Sequence, residues 1–348
     1  MTRLILLSGP DTTAVSHVAA VTATALADEG LPVALVDGTG ASLPDSGAVD
    51  AVAQSIGRVF GALGSDDLVP EAWTGLPGLA QLSALLLVDG LVQGGDVVVV
   101  DAGSFEQAQQ LIELPGVLER LLDAALSPSL AMWRTSDGED VAFDALADAR
   151  RTVNRLGRSL LRRETTMRFV VPPTSAGADA LERALAVVST LGVGVDGVIV
   201  HRYPRKSEPW PSDVRDEARD ALESVRVAAH GVAVWKSGAD GRPAPKGHSP
   251  MGPFGKVQVL DHDELAVRVE DEALSLELPL SPMARQLAHV GVTAEHLVVE
   301  VDGVHRWIEL PAVLRRCRPL SGRRTSDGVR IEFEPDPGLW MGGGERHG

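Results

Sequence analysis

Eight residues near the start of the chain, GPDTTAVS from Gly9 to Ser16, have the length and position of a phosphate-binding loop that lacks its cation. The motif GxxxxGK[ST] needs glycines so that backbone N–H groups close on the phosphates, a lysine for the β and γ groups, and a hydroxyl for Mg²⁺. Gly9 and Ser16 match it. Its second glycine is Ala14 and its lysine is Val15. Losing that lysine removes a charge-assisted contact of about 1.5–3 kcal/mol, and more in a transition state, so hydrolysis should suffer more than binding. Two aspartates, Asp37 in DGTGAS and Asp101 in DAGS, follow apolar runs, where metal and water chemistry sits in α/β sheets. A plainer reading has each cap a loop or the next helix.

Other chemistry finds little support. His201, His230, His248, His262, His289, His296 and His305 show no metal-ligand spacing, and the single cysteine, Cys317, excludes an internal disulfide and a CxxC clamp. No structural metal is expected. GxSxG and Cys/His nucleophile patterns are absent. Trp307 reads as core of a β-domain in preference to a ligand platform.

The elements that must position these residues are legible. Arg3 to Leu7 reads as a strand, His17 to Asp28 as a helix stopped at Gly30, and Val33 to Asp37 as the next strand. Val97 to Asp101, Met167 to Val171 and Gly197 to Val200 are further strands, the last two separated by a helix from Ala178 to Leu191. Continuous apolar strands alternating with helices predict a doubly wound, mostly parallel α/β sheet. From about 105 to 165 the pattern is a helical insert. There Phe143, Leu146, Ala149, Val153, Leu156 and Leu160 form an apolar stripe, and Arg151, Arg155, Arg158 and Arg162 form another face. That basic helix, 142–163, is either paired to acidic residues of the same molecule or meets an anionic partner or membrane surface.

Residues 1–235 thus read as one α/β domain, and 236–256, rich in Gly and Pro, as a linker. Residues 257–336 read as a small antiparallel β-sandwich and 337–348 as a disordered tail. Strands are expected at Leu265–Glu270, Ala273–Leu278, Leu297–Val301, His305–Leu310 and Val329–Glu334.

Composition excludes several partners. At 348 residues and 44% hydrophobic, the chain can bury two cores. Its net charge of −16 argues against nucleic acid. Residues 1–130 hold sixteen acidic side chains against Arg3, Arg58 and Arg120, and the first lysine is Lys206. A field of that sign repels an ATP tetra-anion unless Mg²⁺ screens it. No apolar run approaches the roughly 20 residues of a membrane span, and Leu4 to Leu7 is too short for a signal-peptide core, so a cytoplasmic protein is expected.

Several stretches resemble the ATPases of the arsenite-pump ArsA and tail-anchored-protein-targeting family. They are GPDTTAVS, VALVDGTGAS and especially VVVVDAGSFEQAQQLIELPGVLERLL, where the family reads approximately DTAPTGxTLRLLxLPxxL. Leu111, Leu114, Pro115 and Leu118 carry that match in detail. The stretch from Arg168 to Tyr203 is similar to the family segment that holds an adenine-contacting loop. It has His201 where an asparagine usually meets the base and retains Arg202. The phrases VEDEALSLELPL and DGVHRWIELPAVLRRC resemble an α-crystallin-like (small heat-shock-protein-like) domain appended to some members.

The resemblance implies a P-loop NTPase fold with Asp37 on the first-switch aspartate that helps position water. It sets Asp101 on the Mg²⁺-associated second-switch aspartate, Ser16 on the Mg²⁺-binding hydroxyl, and Gly9, His201 and Arg202 in nucleotide binding. Both lysines of the family loop are gone, falling on Val15 and Pro10. No cofactor is then expected. The implied protein is a non-hydrolysing pseudo-ATPase, acting as a homodimer, as a heterodimer partner of an intact ATPase paralogue, or as a module for hydrophobic client proteins. The alternative is a weak Mg-ATP-dependent ATPase using Asp37, Asp101 and Ser16, with Arg202 as the stand-in cation, alone or at a site shared with the paralogue.

Overall fold

The computed structural model describes residues 3–39, 78–125, 139–162, 164–204, 208–241, 266–270, 273–280, 284, 286, 288–293, 295–326 and 328–336. Most of the Gly/Pro segment, the tail 337–348, the side chains of Phe143 and Leu146, and His248 and His262 lie outside the described residues. By contacts the chain divides into one unit of Met1–Leu181 with Val195–Val257 and a second of Glu182–Gly194 with Gln258–Gly348.

The first unit is built on a six-stranded sheet in the order β2-β3-β1-β4-β5-β6. Its strands are β1 Arg3–Ser8, β2 Val33–Asp37, β3 Val97–Asp101, β4 Thr165–Val171, β5 Gly194–Val200 and β6 Val234–Lys236. The pairings β2–β3, β3–β1, β1–β4 and β5–β6 are parallel. Every residue of β1, β3, β4 and β5 but Thr166 is buried, as in a parallel sheet covered on both faces. The helices are α1 Thr12–Asp28, α2 Leu79–Gly94, α3 Phe105–Ala125, α4 Glu139–Leu160, α5 Ser175–Leu191, whose residues from Glu182 onward count with the second unit, and α6 Ser212–Ala228.

Helix α1 forms because Val15, Val18, Ala19, Thr22 and Leu26 recur three or four residues apart and bury one stripe. That stripe meets Ile5, Leu7, Val97 and Val99 of the sheet, and each fully buried aliphatic side chain contributes about 1.5–3 kcal/mol. The helix ends at Gly30, whose φ of 83° lets Leu31 N–H return to the Leu26 carbonyl at 3.3 Å. Of the arginines on the basic face of α4, Arg155 reaches the buried Asp89 of α2 at 2.7 Å and Arg151 pairs with Asp148 one turn back, while Arg150 beside them reaches Asp123 at 2.9 Å. Deeper in the sheet, Asp196 of β5 is shared by Arg3 of β1 at 2.9 Å and Arg168 of β4 at 2.7 Å, locking three strands together. Burial, only partly offset by Asp196, pushes Arg3 down to about 10.

The second unit holds two antiparallel sheets. One is β11-β10-β9, built from β9 His289–Val292, β10 His296–Val301 and β11 Val304–Glu309. The other is β12-β13-β8-β7, built from β7 Ala266–Glu270, β8 Ala273–Pro279, β12 Cys317–Arg324 and β13 Gly328–Pro335. Their apolar residues, among them Leu276, Leu297, Val299, Ile308 and Phe333, share one core. Trp307 corrects the sequence reading: it is 38% exposed and meets the His296 ring edge-on. Strand alternation gives the inward places of β11 to Val304, Arg306 and Ile308, so Trp307 faces out. No helix among the described residues is long and apolar enough to cross a membrane.

Candidate functional site

The sheet order creates a switch point. From central β1 the chain leaves through α1 towards β2 on one side, whereas β4 lies on the other side and leads through α5 to β5. The turns after β1 and β4 therefore part at their carboxyl ends, where open α/β sheets hold their ligands. Gly9 follows β1, Asp37 and Asp101 end β2 and β3, and His201 and Arg202 follow β5, all at the carboxyl edge of the sheet.

On one flank stand the two aspartates. Asp37 and Asp101 are register partners at the ends of β2 and β3. Asp37 Oδ1 accepts the N–H of Thr39 at 2.8 Å and its hydroxyl at 2.6 Å, which folds the loop back on the strand. Asp101 Oδ1 accepts Gly103 N–H at 3.0 Å, and its Oδ2 accepts the Ser16 hydroxyl. That hydroxyl also lies 3.0 Å from the Thr12 carbonyl. Each aspartate thus does the loop-capping work of the plainer reading. The Ser16–Asp101 pair adds two hard oxygen donors of the kind Mg²⁺ takes.

The segment Gly9–Ser16 is not the eight-residue loop that its motif spacing suggests. Helix α1 begins at Thr12, which leaves Gly9, Pro10 and Asp11 as a three-residue turn. Gly9 is confined: a Cβ there would lie 2.0 Å from the Val170 carbonyl oxygen. Pro10 has no N–H to offer a ligand. Asp11 is the N-cap, its carboxylate accepting Ala14 N–H at 3.1 Å. The helix end that would face a phosphate is thus closed by the chain's own anion. Val15, placed by motif spacing at the lysine, is fully buried against the sheet, with its side chain beside Gly9.

Two opposed electrostatic effects meet at this turn. A helix N-terminus favours an anion by typically 0.3–1 kcal/mol. A unit charge 4 Å from the Asp11 carboxylate is opposed by about 4 kcal/mol near a protein surface. The oxygen pair of Ser16 and Asp101 fits a bare Mg²⁺. The adjoining turn sets the exposed Asp11 carboxylate beside that pair.

Between the turns after β1 and β4 opens a cleft of ≈ 290 Å³. Pro172, Pro173, His201, Arg202, Trp210 and Glu217 are among its lining residues, with Asp11 and Ala14 on the α1 side. Thr174 closes the N-terminus of α5 there, its hydroxyl accepting Gly177 N–H at 3.1 Å. His201 is 4% exposed, with Nδ1 3.0 Å from the Ser237 hydroxyl and its ring 5.9 Å from that of His17. Burial pushes its pKa below the usual histidine range, and Arg202 and His17 push it the same way against Asp11 and Asp240. Arg202 follows with φ 55°, a left-handed conformation that is costly for an arginine. The structure thus brings His201 and Arg202 together with the turn, and Ser16 with Asp37 and Asp101. Sequence reasoning passed over Asp11, although Asp followed by a three-four apolar pattern is an N-cap signature. The walls from Pro172, Pro173 and Trp210 carried no motif. Among the described residues no three His, Cys, Asp or Glu side chains gather as a metal set.

No family model matches the chain. It is 28% identical to Uncharacterized protein SCO2128 of Streptomyces coelicolor, in a match covering 98% of this chain and 100% of that protein. It is 24% identical to Protein Rv2184c of Mycobacterium tuberculosis, across 83% of this chain and 76% of that protein. The first match runs through both units.

Proposed function

We propose that this chain is a non-hydrolysing relative of the ArsA and tail-anchored-protein-targeting ATPases, built on their P-loop NTPase-like fold but with its phosphate site closed. One observation carries the reading: the Asp11 carboxylate caps α1 within the turn that motif spacing assigns to a phosphate. The switch-point sheet and the Asp37–Asp101 pairing support the nucleotide-binding ancestry. On this reading the α/β unit serves as a dimer partner or client-binding module. The second unit, whose sequence resembles an α-crystallin-like domain, contributes a chaperone-like surface. The test is steady-state phosphate release from Mg-ATP by the full chain, alone and co-expressed with an intact ATPase paralogue. Release at the background rate from the chain alone, with a heterodimer on size exclusion, fits the proposal, whereas sustained turnover by the chain alone contradicts it.

The contact between Ser16 and Asp101 favours a second reading, in which the Mg²⁺ side of the site still works and the chain is a weak ATPase. In that case turnover depends on Mg²⁺ and is abolished by Asp101→Asn. Under the first reading that variant changes no turnover.

A further inference from the structure

Side chains alternate across β9, β10 and β11, so one set joins the core and the other forms an outer face. Leu297, Val299 and Val301 of β10 and Val304 and Ile308 of β11 are buried, which leaves Val298 and Trp307 on the outside. The register sets Val298 between Gly291 of β9 and Trp307 of β11, so these three residues make one row across the sheet. Polar rows lie on either side. In one, Glu300 stands between His289 and His305, and in the other His296 faces Glu309. His305 Nε2 lies 3.6 Å from Glu300 Oε2, Arg315 pairs with Glu309, and the His296 ring meets Trp307 edge-on. Strand spacing and rise make this face about 10 Å wide and about 14 Å long.

Gly291 is the unexpected member of the row. A glycine inside a strand weakens it, and marks a bulge, a sharp bend or a place where a ligand or another backbone comes close. The pairing from His289 to Val292 is unbroken, which excludes a bulge. Gly291 has no positive φ, and a Cβ there would meet nothing within 4 Å, so neither the backbone nor the packing of the described residues calls for a glycine. The remaining reason is a ligand that rests on bare backbone in the row of Trp307.

We propose that this face binds a neutral pyranose oligosaccharide, with one sugar ring stacked on Trp307 and its neighbour lying over Gly291. Trp307 is 38% exposed, and its electron-rich indole face suits the weakly positive C–H hydrogens of a sugar ring. Sugar hydroxyls both donate and accept, and the carboxylates and imidazoles of the two polar rows meet them on both edges. Charge selects among sugars. Glu300 and Glu309 oppose an acidic glycan, with Arg315 offsetting one of them, whereas a neutral polyol meets no such opposition. The site belongs to the second unit and is independent of the turn after β1.

The experiment is calorimetric titration of the full chain with maltohexaose, cellohexaose and N-acetylchitohexaose, and with hexagalacturonate as the acidic control, repeated on Trp307→Ala and Gly291→Thr. Threonine suits a strand and its side chain enters open space, so Gly291→Thr keeps a thermal midpoint at or above that of wild type while filling the sugar's seat. Expected is a Kd of about 0.01–5 mM for at least one neutral hexasaccharide, and at least about tenfold weaker binding of hexagalacturonate. Each variant weakens the neutral sugar at least about tenfold. No binding of any neutral hexasaccharide at about 10 mM overturns the proposal. Binding that survives either variant, or hexagalacturonate held as tightly as the neutral sugar, overturns it as well. So does a lower midpoint in Gly291→Thr, which would return that glycine to a structural role.

Discussion

The Asp11 carboxylate accepts the backbone N–H of Ala14 at 3.1 Å, which sets a fixed negative charge at the N-terminus of the helix that follows β1. In a phosphate-binding loop that N–H and its neighbours are kept for the ligand. Here they serve the helix. Two residues beyond Ala14, the Ser16 hydroxyl donates to Asp101. On the proposed reading, closure comes from what the turn contains as well as from the lysine it lacks.

Removing the cap tests its structural role. Asp11→Ala should destabilise the α/β unit by about 1 kcal/mol, whereas Asp11→Asn, an equally good cap without the charge, should stay within a few tenths. Urea unfolding followed by far-ultraviolet circular dichroism measures both. Equal stability of Asp11→Ala and wild type contradicts the capping role.

Val15→Lys combined with Ala14→Gly rebuilds the motif in sequence but not in space. Val15 is fully buried among Ile5, Leu7, Val99 and Val170, so a lysine there puts a charge in the core. The expected outcome is a loss of several kcal/mol of stability and no gain in nucleotide affinity. Soluble expression and the urea midpoint report the first effect, and calorimetry the second. A well-folded double variant that binds Mg-ATP more tightly than wild type contradicts the placement of Val15.

Acid should weaken the α/β unit through His201. Its folded pKa lies below the ordinary 6.5, chiefly because of burial and then because of Arg202 and His17. The unfolded chain therefore takes up the proton first as pH falls. The stability held by neutral His201 is fully present above about 6.5 and is lost as pH falls through the depressed folded value. Melting temperatures at pH 7.5 and pH 5 should drop more for wild type than for His201→Asn. An identical drop assigns the acid sensitivity to other groups.

Much of this architecture is legible in the sequence. The strands Val33–Asp37 and Val97–Asp101 are read at their observed ends, because unbroken apolar runs closed by aspartate leave little choice of register. The turn after β1 is misread for a physical reason. Motif spacing counts residues, whereas Val15, Val18, Ala19, Thr22 and Leu26 already form one helical stripe, and burying it draws Thr12–Ser16 into α1. Strand β12, Cys317–Arg324, gives no signal because it is an edge strand with nearly every residue exposed and with Pro319 and Gly322 inside it. Its place comes from pairing with β13, which no local pattern records. The site divides likewise. Asp37, Asp101 and Ser16 stand out by type and position, whereas Asp11 and the cleft wall at Trp210 have meaning only once β1, β4 and α6 come together.

The central claim is that the turn after β1 is closed to phosphate by Asp11. Calorimetric titration of Mg-ATP into the full chain, beside the Asp11→Asn variant, tests it most directly. The account predicts no wild-type binding tighter than about 0.1 mM, and tighter binding once the charge is removed. Micromolar binding to wild type, unchanged in Asp11→Asn, would contradict it.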